Sequence, residues 1–144
     1  MATYIVNTIL DSLKPALDAL VAAETLRQVV ERDVLPNETL VLGVLPSEVY
    51  RTGGSAGERS WEMDVFLPLA VCGDGKADRF ETVSEVIAEV DAAIEAWDAG
   101  GGNHCSVDRY RWRYWAVAGK NNRLLPVGAV GSLRVSFDGP LKRT

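Results

Sequence analysis

Few residues in this 144-residue sequence have types and spacings suited to chemistry, and each set makes a definite demand on its surroundings. Glu62 and Asp64 stand two apart in an alternating stretch, so both carboxylates point to one side of a strand. That spacing could hold a divalent cation or divide the roles of general acid and base. Arg109, Arg111 and Arg113 share one side of a second alternating stretch, and cross-strand ion pairing between the two rows is the simpler account of both. A basic stripe for nucleic acid is disfavoured, because Tyr110, Trp112 and Tyr114 fall on the other side of that strand and cannot stack bases beside the arginines. Trp115 lies on the arginine side, where a large aromatic is either a partly buried residue or an anchor for a partner.

His104, the sole histidine, is followed directly by Cys105. Neighbours on an extended chain point to opposite sides, so the two do not form a nucleophile and base, and about four convergent ligands for a zinc ion are not supplied. The turn Gly73-Asp74-Gly75-Lys76 sits between a predicted strand and a predicted helix, where phosphate loops occur. Its spacing fails: Asp78 stands where a dinucleotide fingerprint wants a small residue, and no Lys-Ser/Thr pair follows. The sequence therefore predicts no catalytic residue, no metal and no cofactor, and a protein that is not an enzyme.

These residues must be positioned by a single domain spanning 1–144, since the length leaves little room for a second core. The net charge of −5 is mildly repulsive to phosphate backbones, so nonspecific nucleic-acid binding would need a strongly segregated basic patch; no sequence-specific nucleic acid is expected as a partner, and no apolar run reaches the ~20 residues of a membrane helix. The start, Met1 to Asn7, has no secretory-signal pattern, and Cys72 and Cys105 suit a reducing compartment as free thiols, so the expected site of synthesis is the cytoplasm.

Ile5, Ile9, Leu13, Leu17 and Leu20 recur at helical spacing and predict a first helix over Tyr4 to Ala23, with a kink or restart at Pro15. Leu26 to Leu35 reads as a strand, and Thr39 to Leu45 as a central strand closed by Pro46. Tyr50 to Ser60, with Gly53, Gly54 and Gly57, reads as a loop or long hairpin tip. Trp61, Met63, Val65, Leu67, Leu69 and Val71 form the buried side of a long strand, in which Pro68 predicts an edge or a bulge. A second helix is expected from a capping box at Asp78 and Glu81 to the stop at Gly100-Gly101-Gly102. Its stripe of Phe80, Val83, Ile87, Val90, Ile94 and Trp97 would contribute on the order of 10 kcal/mol on burial, before entropy is subtracted. Two more strands follow. In Val107 to Ala118 the side carrying Val107, the arginines, Trp115 and Val117 opposes that of Asp108, Tyr110, Trp112, Tyr114 and Ala116. The aromatics of this second set are expected to form sheet core against the second helix. In Ala129 to Phe137, Leu133, Val135 and Phe137 point inward, while Ser132, Arg134 and Ser136 point outward. Lys142 to Thr144 read as a loose tail. The fold class is thus α+β, a mostly antiparallel sheet of about five strands with two helices on one face, in the order α-β-β-β-α-β-β.

This order, with its Gly-rich loop and acidic second helix, resembles the tail terminator (tail completion) proteins of long-tailed phages. The features that carry the resemblance are the helix Ile5 to Leu20, the strands Leu40 to Leu45 and Trp61 to Val71, the helix Phe80 to Trp97, and the strands Tyr110 to Val117 and Leu133 to Phe137. The resemblance implies a homo-oligomer, a hexameric ring that caps the tail tube, ends its polymerisation and meets the head-tail connector protein. It further implies assembly in the host cytoplasm and residence at the tail-head junction of the virion. Arg51 and Arg59, flanking the Gly-rich loop, would face a neighbouring subunit or the tail tube protein, and Arg109, Arg111, Arg113 and Trp115 would form a subunit or partner interface. A neck or head-completion protein is the related alternative. A small-ligand adaptor domain, with a cleft between the first helix and the sheet, is the alternative from another class.

Overall fold

The computed structural model describes residues 3–35, 37–53, 59–71, 80–101, 104–118 and 124–143. The expectations for Gly54, Gly57, Cys72, Gly73 to Lys76, Asp78, Gly102 and the side chain of Val117 lie outside the described residues. The first helix, α1 (Ile5–Ala22), buries Ile5, Ile9, Leu13, Leu17 and Leu20, the stripe its spacing predicts. It does not restart at Pro15. Proline costs α1 the bond to the Asp11 carbonyl, but both residues lie on the exposed side, where water can serve that oxygen.

One sheet holds six strands: β2 (Gln28–Val30), β3 (Val41–Gly43), β4 (Leu45–Gly53), β5 (Ser60–Ala70), β6 (Ser106–Ala118) and β7 (Leu124–Asp138). The order across it is β2-β3-β5-β7-β6, with β4 on the same flank of β5 as β3. All pairs are antiparallel except β2 with β3, so the α+β class with a mostly antiparallel sheet holds. The strand expected over Leu26 to Leu35 is short, only Gln28–Val30. Pro46 does not end the central strand. The chain breaks at Val44, whose N–H turns to the Val30 carbonyl at 2.8 Å, and then pairs on through Pro46 opposite Val65 and out to Gly53 opposite Ser60. Tyr50 to Gly53 is thereby strand rather than loop.

Pro68 is not on an edge, because β5 lies in the middle of the sheet and pairs with β7 along its whole length. Its missing donor is tolerated because the opposite flank is interrupted there: β3 pairs end at Leu42↔Leu69 and β4 pairs begin at Leu45↔Phe66. Gly43 fills the gap closely, since a Cβ on it would meet the Pro68 ring at 2.7 Å and the Arg32 carbonyl oxygen at 2.2 Å.

The second helix, α2 (Glu81–Ala99), begins later than the capping box required. Phe80 is its N-cap, in the left-handed region (φ 69°) and without a side-chain cap bond, so Phe80 leaves the buried stripe. Val86 takes the place expected for Ile87, and Val83, Val90, Ile94 and Trp97 are buried as expected. The stop is as read: Gly100 caps the helix and Gly101 adopts φ +71°, the conformation that favours glycine. Both helices pack on one face of the sheet, in a single core with Met63, Val65, Leu67, Leu69, Leu133 and Val135. The Trp97 indole ties the helices together by donating to Ser12 Oγ at 3.1 Å. The tail is not loose: β8 (Lys142–Arg143) pairs with β1 (Thr3–Tyr4), and Ile5 N–H donates to the Leu141 carbonyl, bringing the two ends of the chain together.

Candidate functional site

The helices cover one face of the sheet and leave the other open. Register across β5, β7 and β6 builds that open face in rungs: Asp64, Arg134 and Arg109; then Phe66, Ser132 and Arg111; then Pro68, Val130 and Arg113; then Ala70, Gly128 and Trp115. Arg109, Arg111, Arg113 and Trp115 therefore do share one face, as the alternation predicts. Val107 leaves it, because a bulge between Val107 and Arg109 inserts Asp108 as the unpaired residue and turns Val107 inward opposite Val135.

The expected ion pairing of Glu62 and Asp64 with the β6 arginines does not occur, because β7 lies between those strands. Their partner is Arg134. Its Nε donates to Asp64 Oδ1 at 2.9 Å and its Nη2 to Asp64 Oδ2 at 3.3 Å, a two-pronged contact, while Glu62 Oε2 stands 3.8 Å from Nη1. The guanidinium also lies over the Tyr50 ring, 5.3 Å from its centroid. The hydrogen bonds that Arg134 donates to Asp64 raise the Arg134 pKa still further, and burial, reinforced by Asp64, holds the Tyr50 hydroxyl above its ordinary range. Arg134 was legible only as an outward residue between Ser132 and Ser136.

With Arg134 neutralised, the β6 row remains uncompensated. Arg109, Arg111 and Arg113 are exposed and have no acidic partner among the described residues, and Arg109 stands directly opposite Arg134. Asp64, Arg109, Arg111, Ser132 and Arg134 line an open groove of about 340 Å³. At the far end the face turns more apolar, where Phe66, Pro68, Val130 and the half-buried Trp115 line a hollow of about 250 Å³ together with Val34, Asp33 and Arg113. Gly128 makes room for the indole, since a Cβ there would stand 3.0 Å from Trp115 Cζ2.

Arg51 and Arg59 do not join this patch. Arg51 pairs with Trp61 and so follows the other face, and Arg59 adjoins Ser60, where its carbonyl accepts the Gly139 N–H. The nine-residue run along β5 between the Trp61 rung and the Ala70 rung puts them roughly 30 Å from Trp115. Of the aromatics expected as core, Tyr110 and Trp112 are half-buried and packed edge to face, 6.0 Å apart. Tyr114 is not core: it is 44% exposed, meets Phe80 edge-on and shares a hydrogen bond with Ser84.

His104 is exposed with φ 65°, and Cys105 is half-buried and free. Burial, with Asp98 and Asp108 nearby, pushes the Cys105 thiol up to about 12, which holds it neutral and unreactive at ordinary pH. Among the described residues no cluster of three or more His, Cys, Asp or Glu is arranged to hold a metal ion, and no helix is long and apolar enough to cross a membrane. A second concavity, about 310 Å³, lies between α1 and the sheet, with Leu10, Val29, Val44 and Pro46 in its wall and Asp11, Lys14 and Glu31 at its rim. Compared with known proteins, the chain matches no family model and no curated protein sequence.

Proposed function

We propose that this chain is a structural protein of a long-tailed phage or prophage, a tail terminator whose copies close into a ring that caps the tail tube, ends its polymerisation and presents the head-joining surface. On this reading the chain is not an enzyme, and its partners are further copies of itself, the tail tube protein and the head-tail connector protein. It assembles in the host cytoplasm and ends at the tail-head junction. The observation that carries the reading is the uncovered sheet face, where three exposed arginines without acidic partners among the described residues run into a half-buried tryptophan. A row of like charges on one strand is unfavourable in an isolated domain and becomes useful against a partner. Light scattering with electron microscopy tests it: rings at micromolar concentration are expected, and a strict monomer at high micromolar concentration would overturn it. A neck or head-completion protein would use the same kind of surface, and co-sedimentation with tail tubes or with filled heads separates the two.

The concavity between α1 and the sheet favours one other reading, a small-ligand adaptor domain, since an apolar wall with a charged rim is what a small amphipathic ligand needs. That reading expects a monomer or dimer whose melting temperature rises with a metabolite.

A further inference from the structure

The arginine face has its complement on the same molecule, in a place where one copy cannot use it. Helix α2 carries Glu81, Glu85, Glu89, Asp91, Glu95 and Asp98 and not one lysine or arginine. Its apolar residues face the sheet; Glu81, Glu85, Glu89 and Glu95 are exposed and lie off that stripe, while Asp98, also exposed, sits at the flank nearest β6. Asp98 accepts a bond from the Val107 N–H, but none of these carboxylates has a cationic partner among the described residues. Glu81, Glu85 and Glu89 follow one another at i,i+4, where like charges weaken a helix. The other row is equally self-opposed: Arg109, Arg111 and Arg113 crowd one side of β6, with Arg109 across from Arg134.

The two rows lie on opposite sides of a two-layer domain, sheet outward on one side and helix outward on the other. Neither can reach the other within one chain. We infer that the arginine face of β6 docks on the acidic side of α2 of a second copy. Each copy then offers one donor and one acceptor surface, which makes the contact heterologous: it propagates from copy to copy and closes into a ring where the rotation allows. Because the two rows lie on opposite sides of the domain, a two-fold contact centred on either one would set like charges together and could not make this pairing. Trp115, at the apolar end of the same face, supplies contact area beside the charges. This inference rests on the ring reading and adds to it which two surfaces meet.

Charge reversal on the full-length chain tests it by sedimentation velocity. The double variant Arg109→Glu/Arg111→Glu sets acid against acid, and Glu85→Lys/Glu89→Lys sets base against base. Each alone is expected to raise the apparent dissociation constant at least about 100-fold, the scale of like-charge juxtaposition at an interface. An equimolar mixture of the two restores assembly, since every contact then pairs opposite charges in alternating order. The neutral variants Arg111→Gln and Glu89→Gln weaken assembly by a smaller factor, about tenfold, and salt weakens the wild type. Restoration in the mixture supports the inference and shows that both variants are folded. Either charge-reversed variant assembling alone like the wild type overturns it while the ring reading stands. So does a mixture that stays dissociated although each variant melts like the wild type. Assembly lost in the arginine variant and kept in the glutamate variant points to a different acidic partner and overturns it too. A monomeric wild type removes the inference and the ring reading together.

Discussion

Gly128→Ala probes the one place where the central ladder and the candidate surface depend on the same missing side chain. Gly128 pairs with Ala70 on β5 and with Trp115 on β6. A Cβ at this position would stand 1.9 Å from the Leu69 carbonyl oxygen, 3.0 Å from the Leu69 carbonyl carbon and 3.0 Å from Trp115 Cζ2. A carbon and an oxygen rest at about 3.3 Å, so β5 and β7 must part by about 1.4 Å at this rung or the backbone must twist. The obstacle is backbone, so no rotamer change relieves it. Overpacking costs about 1–3 kcal/mol, and the loss of one or two ladder bonds about 1 kcal/mol each. Against this, alanine restricts the unfolded chain and returns about 0.4–1 kcal/mol. The net expectation is a loss of about 3 kcal/mol, or a fall in Tm of roughly 6–12 °C for a domain of this size.

Gly131→Ala is the control. There the new Cβ would meet the tip of the Trp112 indole at 2.9 Å and Leu67 Cβ at 3.0 Å, and the indole can swing away at the expense of its bond to the Tyr110 hydroxyl. A loss of about 1 kcal/mol is expected. Urea denaturation of both variants and the wild type gives the comparison, with equal m-values as the sign that all unfold from the same kind of native state. A Gly128→Ala protein within about 0.5 kcal/mol of wild type, or one more stable than Gly131→Ala, would refute the placement of Trp115 over β7 and the close approach of β5.

Three further outcomes follow from the same geometry. In a Cys72→Ser background, native Cys105 should react with a thiol reagent about a thousandfold more slowly than a free cysteine, because its pKa is about 12 instead of 9.0; a rate within tenfold of the free thiol contradicts its burial. Tyr110, pushed by burial from 10.0 to about 12, acts in the same direction as Cys105. Both are neutral acids that ionise earlier when unfolded, so their contribution is present below about pH 9 and is lost as the pH rises toward 12; urea midpoints should fall across that window, less steeply in Cys105→Ala/Tyr110→Phe. Trp97→Phe removes the indole donor to Ser12 Oγ that links the helices and should cost about 1 kcal/mol, with Ser12→Ala smaller and the double variant no worse than Trp97→Phe alone.

The two helices were legible because a helix writes its buried side into its own sequence. Ile5, Ile9, Leu13, Leu17 and Leu20 needed no partner to be recognised, whereas in α2 the exact stripe escaped, with Val86 buried in place of Ile87 and Phe80 outside the helix. The Asp78 and Glu81 pair fits a capping box in type and spacing, yet the helix starts at Glu81 behind a left-handed Phe80, a turn no residue type announces. Strands write down only which residues share a side. The alternation from Val107 to Trp115 reads as unbroken, because a bulge at Asp108 inserts one residue that happens to be polar.

The misassigned ion pair shows where strand reading stops. Side chains on Glu62, Asp64 and the β6 arginines were placed on the correct face, but strand order is set by how α2 crosses over, and no pattern within a strand encodes it. The chain passes from β5 through α2 to β6, which lies one position beyond β7, and β7 then takes the place between β5 and β6. That one insertion gives the carboxylates to Arg134 and strips the β6 row of its expected partners. A residue set that looked internally balanced in sequence thus becomes two balanced strands and one unbalanced edge. Among the described residues the long acidic row belongs to α2, on the far side of the core from the β6 arginines, so one copy does not balance its own edge.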